Sequence, residues 1–110
     1  MIDGDTLRCG DERVRLLGID APELPGHCQQ GRHCAPGDPL ASTRSLRAAL
    51  LLGPIVIRRI GTDRYGRTLA LVNAGRTDLS CWQLLQRQAI YKPYWDNGGA
   101  LVRICAAAKF

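Results

Sequence analysis

No hydrophobic run in this 110-residue chain approaches the roughly 18 apolar residues that a membrane-spanning helix requires, and the longest useful one covers only residues 48–52. Neither glycine nor leucine recurs at a fixed period, which excludes collagen-like, coiled-coil and repeat architectures. The first residues lack the charged and apolar segments of a signal peptide. With 45% hydrophobic and 23% charged residues, the composition indicates one globular domain over residues 1–110.

The charged residues are distributed unevenly along the chain. Residues 1–23 carry six acids and three arginines, a net charge of −3, whereas residues 24–110 carry a net charge of +8, which together give +5. Thirteen of the fifteen basic residues are arginine, whose planar guanidinium binds phosphate bidentately. This balance favours a polyanionic partner, although an arginine-rich solvated surface explains it equally well. The acidic N-terminal part is more specific, because metal-dependent phosphotransfer enzymes need carboxylates beside the phosphate site.

Five cysteines are many for a chain of this length, and an odd number cannot all pair within it. Cys28 and Cys34 enclose a short segment, and each follows a histidine. A loop-closing disulfide, a zinc site and reduced thiols are all compatible with this pattern, although its spacing is longer than zinc thiolate pairs usually show. Since a disulfide implies an oxidising compartment, either the chain is cytosolic or an export signal lies outside this sequence.

Hydrophobic alternation, turn residues and helix caps predict a small α+β domain. The predicted strands cover residues 6–9, 13–17, 54–60 and 68–72, and the predicted helices cover 39–52, 79–87 and 98–108. Asp38 and Asp78 are the expected N-caps, and the second helix is expected to bury Leu84 and Leu85. Residues 24–38 should form a long loop. This order fits a partly open five-stranded β-barrel with about three helices, its first strand truncated at Met1.

Charged side chains at the ends of the predicted strands could together cleave a phosphodiester. Asp5 begins one strand of the first hairpin and Asp20 ends the next, so both carboxylates should lie near one end of the barrel and could bind Ca²⁺ or Mg²⁺. Glu23 follows across a proline-stiffened bend and could deprotonate a water. Arg15 and Arg67 could neutralise the charge that develops on phosphorus. A purely structural explanation is also open, because aspartates commonly occupy turns and loop starts.

Three segments of the chain closely resemble the signature blocks of the staphylococcal-nuclease-like (thermonuclease) family. They are IDGDT at residues 2–6, VRLLGIDAPE at 14–23 and TDRYGR at 62–67, in the family's order and at fitting separations. The resemblance implies an OB-fold barrel with three helices and Ca²⁺-dependent hydrolysis of DNA and RNA. We expect a monomer that acts on nucleic acid and has no membrane partner.

The resemblance also implies how the acidic residues act. Asp5, Asp20 and the backbone carbonyl of Ala21 would be the calcium ligands. Glu23 would be the general base, or the group that positions the attacking water.

The same motifs imply a set of phosphate-binding groups. Arg15 and Arg67 would bind the scissile phosphate. Arg64 and Tyr65 would lie at the terminal-phosphate end of the groove, and Tyr91 would contact the nucleotide.

Family members with a cysteine-bearing loop like residues 28–34 are commonly exported. The resemblance therefore favours a periplasmic or secreted protein in which Cys28 and Cys34 form a disulfide. Two other hypotheses stay open. One is a catalytically silent OB-fold module that binds nucleic acid or protein, although such relatives usually lose the acids or arginines that are all present here. The other is a small interaction domain built on a zinc-bound loop.

Overall fold

The structure, a computed structural model, describes residues 3–23 and 34–105, which form an α+β domain with a mixed five-stranded sheet and three α-helices. In chain order the strands are β1 (Thr6–Cys9), β2 (Glu12–Leu16), β3 (Ile19–Asp20), β4 (Ile55–Thr62), β5 (Thr68–Ala74), β6 (Thr77–Asp78) and β7 (Ile90–Tyr91). The helices are α1 (Pro39–Leu50), α2 (Leu79–Leu85) and α3 (Ala100–Ile104), and two 3₁₀ turns, Pro93–Trp95 and Asn97–Gly99, precede α3.

The main sheet has the order β1-β2-β5-β4, and β6 pairs with β5. The β2–β5 pair is parallel and the other pairs are antiparallel. A second, two-stranded sheet joins β3 to β7. Within residues 3–23 and 34–105 the main sheet does not close into a barrel. The predicted α+β class, with five strands and about three helices, is confirmed, whereas the OB-fold and its truncated first strand stay predictions.

Local sequence signals explain where the main elements begin and end. Gly10, with a φ of +61°, makes the turn between β1 and β2. Asp38 accepts a hydrogen bond from the Leu40 N–H at 2.9 Å and caps α1, and Asp78 caps α2 through the Cys81 N–H at 2.8 Å. Both predicted caps are therefore confirmed, and both helices end two residues before the predicted limits.

Two predictions about the helices are wrong. Leu85 is 64% exposed rather than buried, and Gln83 takes the buried position because its amide bonds backbone carbonyls inside the domain. The third helix begins at Ala100 rather than residue 98, because Gly98 and Gly99 adopt left-handed φ values of +70° and +84°.

The core lies between the main sheet and the helices. It is built from buried apolar side chains of β2, β5 and all three helices, including Leu16, Val72, Leu46, Leu79 and Leu101. In the described part of the chain, no helix is long and apolar enough to span a membrane.

Cysteine pairing adds covalent constraints. A disulfide joins Cys81 on α2 to Cys105, directly after α3, and thereby fastens the short last helix to the domain. Cys34 is also disulfide-bonded, whereas Cys28, its predicted partner, lies outside the described residues. Among the described cysteines, Cys9 is free and exposed.

Candidate active site

Asp5 and Asp20 lie side by side at the open end of the β1–β2 hairpin, and each is 3% exposed. The N–H of Ala21 donates to Asp5 Oδ2 at 2.9 Å and fixes the residue after Asp20 against the Asp5 carboxylate. The Thr6 hydroxyl donates to the other Asp5 oxygen at 2.8 Å. The three predicted metal-binding positions are therefore adjacent, although 15 residues separate the two aspartates in the chain.

Gly4 allows the segment that carries Asp5 to pack closely against α1. A Cβ atom at Gly4 would lie 1.9 Å from Ser42 Oγ and 2.9 Å from the Cβ of Ala21, so that a larger residue does not fit without movement. The buried amide of Gln83 donates to the backbone carbonyls of Gly4 at 2.8 Å and of Ser42 at 2.9 Å. Helices α1 and α2 therefore hold Asp5 in place through the residue before it.

Arg15, on β2, contacts both carboxylates. Its Nη1 lies 3.2 Å from Asp5 Oδ2 and its Nη2 lies 3.9 Å from Asp20 Oδ1, and Nη2 also donates to the Ile19 carbonyl at 3.1 Å. The Trp95 ring covers the guanidinium, with 4.8 Å between the Arg15 Cζ and the ring centroid. These contacts leave Arg15 only 8% exposed and hold it beside the acid pair.

The acids around Arg15 carry more negative charge than its guanidinium neutralises. Burial, a hydrogen bond to Asp5 and the Asp5 charge raise the pKa of Asp3 to about 7. Burial would also raise the pKa of Asp5, but the Arg15 charge and hydrogen bonds from Asp3, Ala21 and Thr6 more than offset it, so this pKa is lowered. An excess of buried negative charge, presented by oxygen atoms, suits a hard cation.

The residues present fit a calcium ion in their chemistry. Within residues 3–23 and 34–105, no group of three or more acidic, histidine or cysteine side chains has the arrangement of a metal centre. The expected site needs fewer side chains, because two carboxylates, one backbone carbonyl and several waters satisfy Ca²⁺. Asp5 and Asp20 supply carboxylate oxygens on either side of the Arg15 guanidinium, and the backbone of Ala21 lies against Asp5 through its N–H. Glu23, two residues beyond Ala21, is half-buried.

The predicted phosphate-binding residues of the third motif form a second cluster at the β4–β5 turn. Asp63 organises this turn, because its Oδ1 accepts hydrogen bonds from the N–H groups of Tyr65 and Arg67, and its Oδ2 accepts one from Arg67 Nε at 2.7 Å. These bonds and the Arg67 charge lower the pKa of Asp63 in spite of the burial that opposes the shift. The guanidinium groups of Arg64 and Arg67 lie 5.0 and 5.5 Å from the Tyr65 ring centroid.

A groove of about 860 Å³ connects the two clusters. Its lining combines arginines, aromatic rings and apolar side chains, among them Arg15, Arg64, Arg67, Tyr65, Tyr94, Trp95, Leu17, Ile60 and Leu69. This volume lies within the range of ordinary ligand sites. The groove thus brings together four of the predicted substrate-binding residues, and Arg15 connects it to the carboxylates behind.

Tyr91, which is expected to contact the nucleotide, forms a hydrogen bond within the domain. It lies on β7 opposite Ile19, and its hydroxyl donates to the buried carboxylate of Asp96 at 2.5 Å. Burial and the Asp96 carboxylate raise the pKa of Tyr91 to about 12. Among the described residues that line the groove, Tyr94 and Trp95 are present and Tyr91 is not.

Three residues at the site escaped the sequence analysis. Gln83 reaches Gly4 across 79 residues, and Trp95 covers Arg15 from an equally distant part of the chain, so no local pattern marks either contact. The Asp63–Arg67 ion pair could be predicted from the sequence, because the two residues lie four positions apart within the TDRYGR motif.

Comparison with protein-family models gives no match for this chain, and no curated protein matches it significantly. The residues and their geometry therefore carry the functional interpretation.

Proposed function

We propose that this domain is a Ca²⁺-dependent phosphodiesterase that hydrolyses DNA, RNA or both, and that it is an OB-fold member of the staphylococcal-nuclease-like family. The observation that carries the proposal is the placement of Arg15. Its guanidinium contacts both buried aspartates and also lines the groove. A phosphate bound to Arg15 from the groove would therefore lie next to the carboxylates.

The acidic residues perform the metal and base chemistry in this proposal. Asp5, Asp20 and the carbonyl of Ala21 would hold a calcium ion, which would supply positive charge beside the phosphorus that is attacked. Glu23 accepts a proton from the attacking water, a role for which it lies close in sequence to the metal ligands and is held by Pro22.

The basic residues bind the substrate. Arg15 and Arg67 donate hydrogen bonds to the oxygens of the scissile phosphate and stabilise the charge that develops on them. Arg64 and Tyr65 bind the terminal phosphate at one end of the groove, and their side chains lie together on the exposed β4–β5 turn. The polyanionic substrate also matches the net charge of +5.

The proposal also covers the fold of the domain, its oligomeric state and its location. The mixed five-stranded sheet with helices α1 and α2 packed on it supports a partly open, five-stranded OB-fold. We propose a monomer. The Cys81–Cys105 disulfide is compatible with export to an oxidising compartment.

A catalytically silent binding module is the alternative that the same groove would allow. The buried carboxylates favour catalysis, because a module that only binds nucleic acid gains nothing from two desolvated acids next to its phosphate site.

An isosteric substitution distinguishes the enzyme from the binding module. Asp20→Asn keeps the shape of the side chain and removes the negative oxygen that calcium requires. Cleavage of labelled single-stranded DNA, double-stranded DNA and RNA should occur with wild-type protein and calcium, and should be lost in the variant at equal folded fraction. Binding of all three nucleic acids by wild-type protein without any cleavage would identify the silent module instead.

A further inference from the structure

Trp95 makes an unusual contact with the site. Its ring lies over the Arg15 guanidinium at 4.8 Å, while Asp5 and Asp20 face the edge of the same guanidinium at 3.2 and 3.9 Å. Trp95 is 39% exposed and lines the groove, whereas the neighbouring Tyr94 is 97% exposed. Arg15 therefore has one face against an aromatic ring and its Nη1 and Nη2 atoms beside two carboxylates.

The backbone around Trp95 is anchored from two directions. The Lys92 N–H donates to the Gly18 carbonyl at 2.8 Å, and the Trp95 N–H donates to the Lys92 carbonyl at 2.9 Å. On the other side, the buried carboxylate of Asp96 accepts a hydrogen bond from the Leu101 N–H at 2.6 Å. The backbone segment that carries Trp95 is thus fixed within the domain on both sides of this residue.

We propose that Trp95 is a positioning residue for Arg15. Arginine has five N–H donors and a long flexible stem, and a guanidinium with only carboxylates beside it could rotate away or bind the acids more closely. The indole face stabilises the guanidinium by a cation–π interaction and restricts its plane. Among the described residues, the three polar contacts of this guanidinium engage Nη1 and Nη2, so fewer than its five N–H donors are used.

The consequence for substrate handling rests on the proposed function, but the positioning itself does not. If Trp95 pre-orders Arg15, its removal should weaken phosphate binding and slow cleavage by roughly three- to thirtyfold, the range that one partly desolvated cation–π contact supports. The effect should pass through Arg15, so it should largely vanish where Arg15 can no longer stack flat on the ring.

The first test uses the free protein and needs no activity. In NMR spectra the Arg15 Hε resonance should be shifted by the ring current of Trp95, and this shift should collapse in Trp95→Leu and persist in part in Trp95→Phe. Tyr94→Leu is the matched control, because it removes the adjacent exposed ring. Persistence of the full shift in Trp95→Leu, with the fold retained by thermal melting, would overturn the proposal.

The second test is a double-mutant cycle. Affinity for a short single-stranded DNA oligonucleotide in chelator, and single-turnover cleavage in calcium, are measured for Trp95→Leu, Arg15→Met and the double variant. Trp95→Leu should cost three- to thirtyfold in the wild-type background and less than about twofold beside Arg15→Met, which leaves no cation at position 15 for the ring to hold. Equal losses in both backgrounds would refute positioning. If wild-type protein binds but does not cleave, the proposed hydrolysis fails, whereas the resonance shift and the affinity cycle still decide the role of Trp95.

Discussion

Substitution of Gly4 by alanine should both destabilise the domain and weaken its metal site. The new Cβ would lie 1.9 Å from Ser42 Oγ and 2.9 Å from Ser42 Cβ, so the segment or α1 must move by about 1 Å to restore van der Waals contact. Rotation of the Ser42 hydroxyl cannot relieve the clash with Ser42 Cβ, because the Cβ atom is bonded directly to the helix backbone. Overpacking of this kind costs about 3 kcal/mol, which lowers the melting temperature by roughly 10–20 °C in a domain of this size.

The assay combines thermal unfolding with calcium titration of the folded protein. Movement of Gly4 displaces Asp5, its neighbour, so Gly4→Ala should also reduce calcium affinity at temperatures where the variant is folded. Gly61→Ala is the matched stability control, because nothing lies within 4 Å of a Cβ at that position. A Gly4→Ala variant that melts within about 2 °C of wild type, a shift worth less than about 0.5 kcal/mol, would refute the packing of this segment against α1.

Three further predictions concern catalysis and stability. Glu23→Gln should lower turnover by about 10²–10⁴-fold with little change in nucleic-acid affinity, as single-turnover rates and binding assays would show; near-normal turnover would exclude Glu23 as the base. Arg67→Ala should lower both turnover and affinity, and Arg67→Lys should recover part of the affinity; a loss confined to stability would mean that Arg67 only holds the Asp63 turn. The paired change Cys81→Ser and Cys105→Ser removes a cross-link over 24 residues and should lower the free energy of unfolding by about 3.5 kcal/mol in denaturant titrations, whereas an unchanged midpoint would show that the bridge adds no stability.

Elements with strong local signals could be predicted from the sequence. The first strand was predicted at its observed bounds, because alternating side chains precede a glycine turn. The starts of α1 and α2 follow from Asp38 and Asp78. Their carboxylates accept hydrogen bonds from N–H groups of the first helical turn, which have no partner within the helix. Local chemistry alone fixes these positions.

Features that depend on distant contacts could not be predicted in the same way. Strands β3 and β7 have two residues each, too few to show any periodicity, and only their mutual pairing makes them strands. Gln83 is polar and yet buried, because backbone carbonyls of Gly4 and Ser42 satisfy its amide, and this made Leu85 the wrong choice for the core. Hydropathy alone assigns these two residues to the opposite environments.

The candidate site was also predictable only in part. The acids and arginines were identified by residue type and motif, and the structure places Asp5, Arg15 and Asp20 in contact. The ring over Arg15 comes from a segment without a recognisable pattern, so the contact between Trp95 and Arg15 could not be predicted.

Plasmid degradation with and without calcium tests the central claim most directly. Purified protein is incubated with plasmid DNA in calcium, then with excess chelator, and then with calcium restored, and Asp5→Asn serves as the inactive reference. A hydrolase whose carboxylates hold the ion should degrade the plasmid in calcium, stop in chelator and resume when calcium returns, whereas Asp5→Asn should fail throughout. Undiminished degradation in chelator, or equal degradation by Asp5→Asn, would contradict the account.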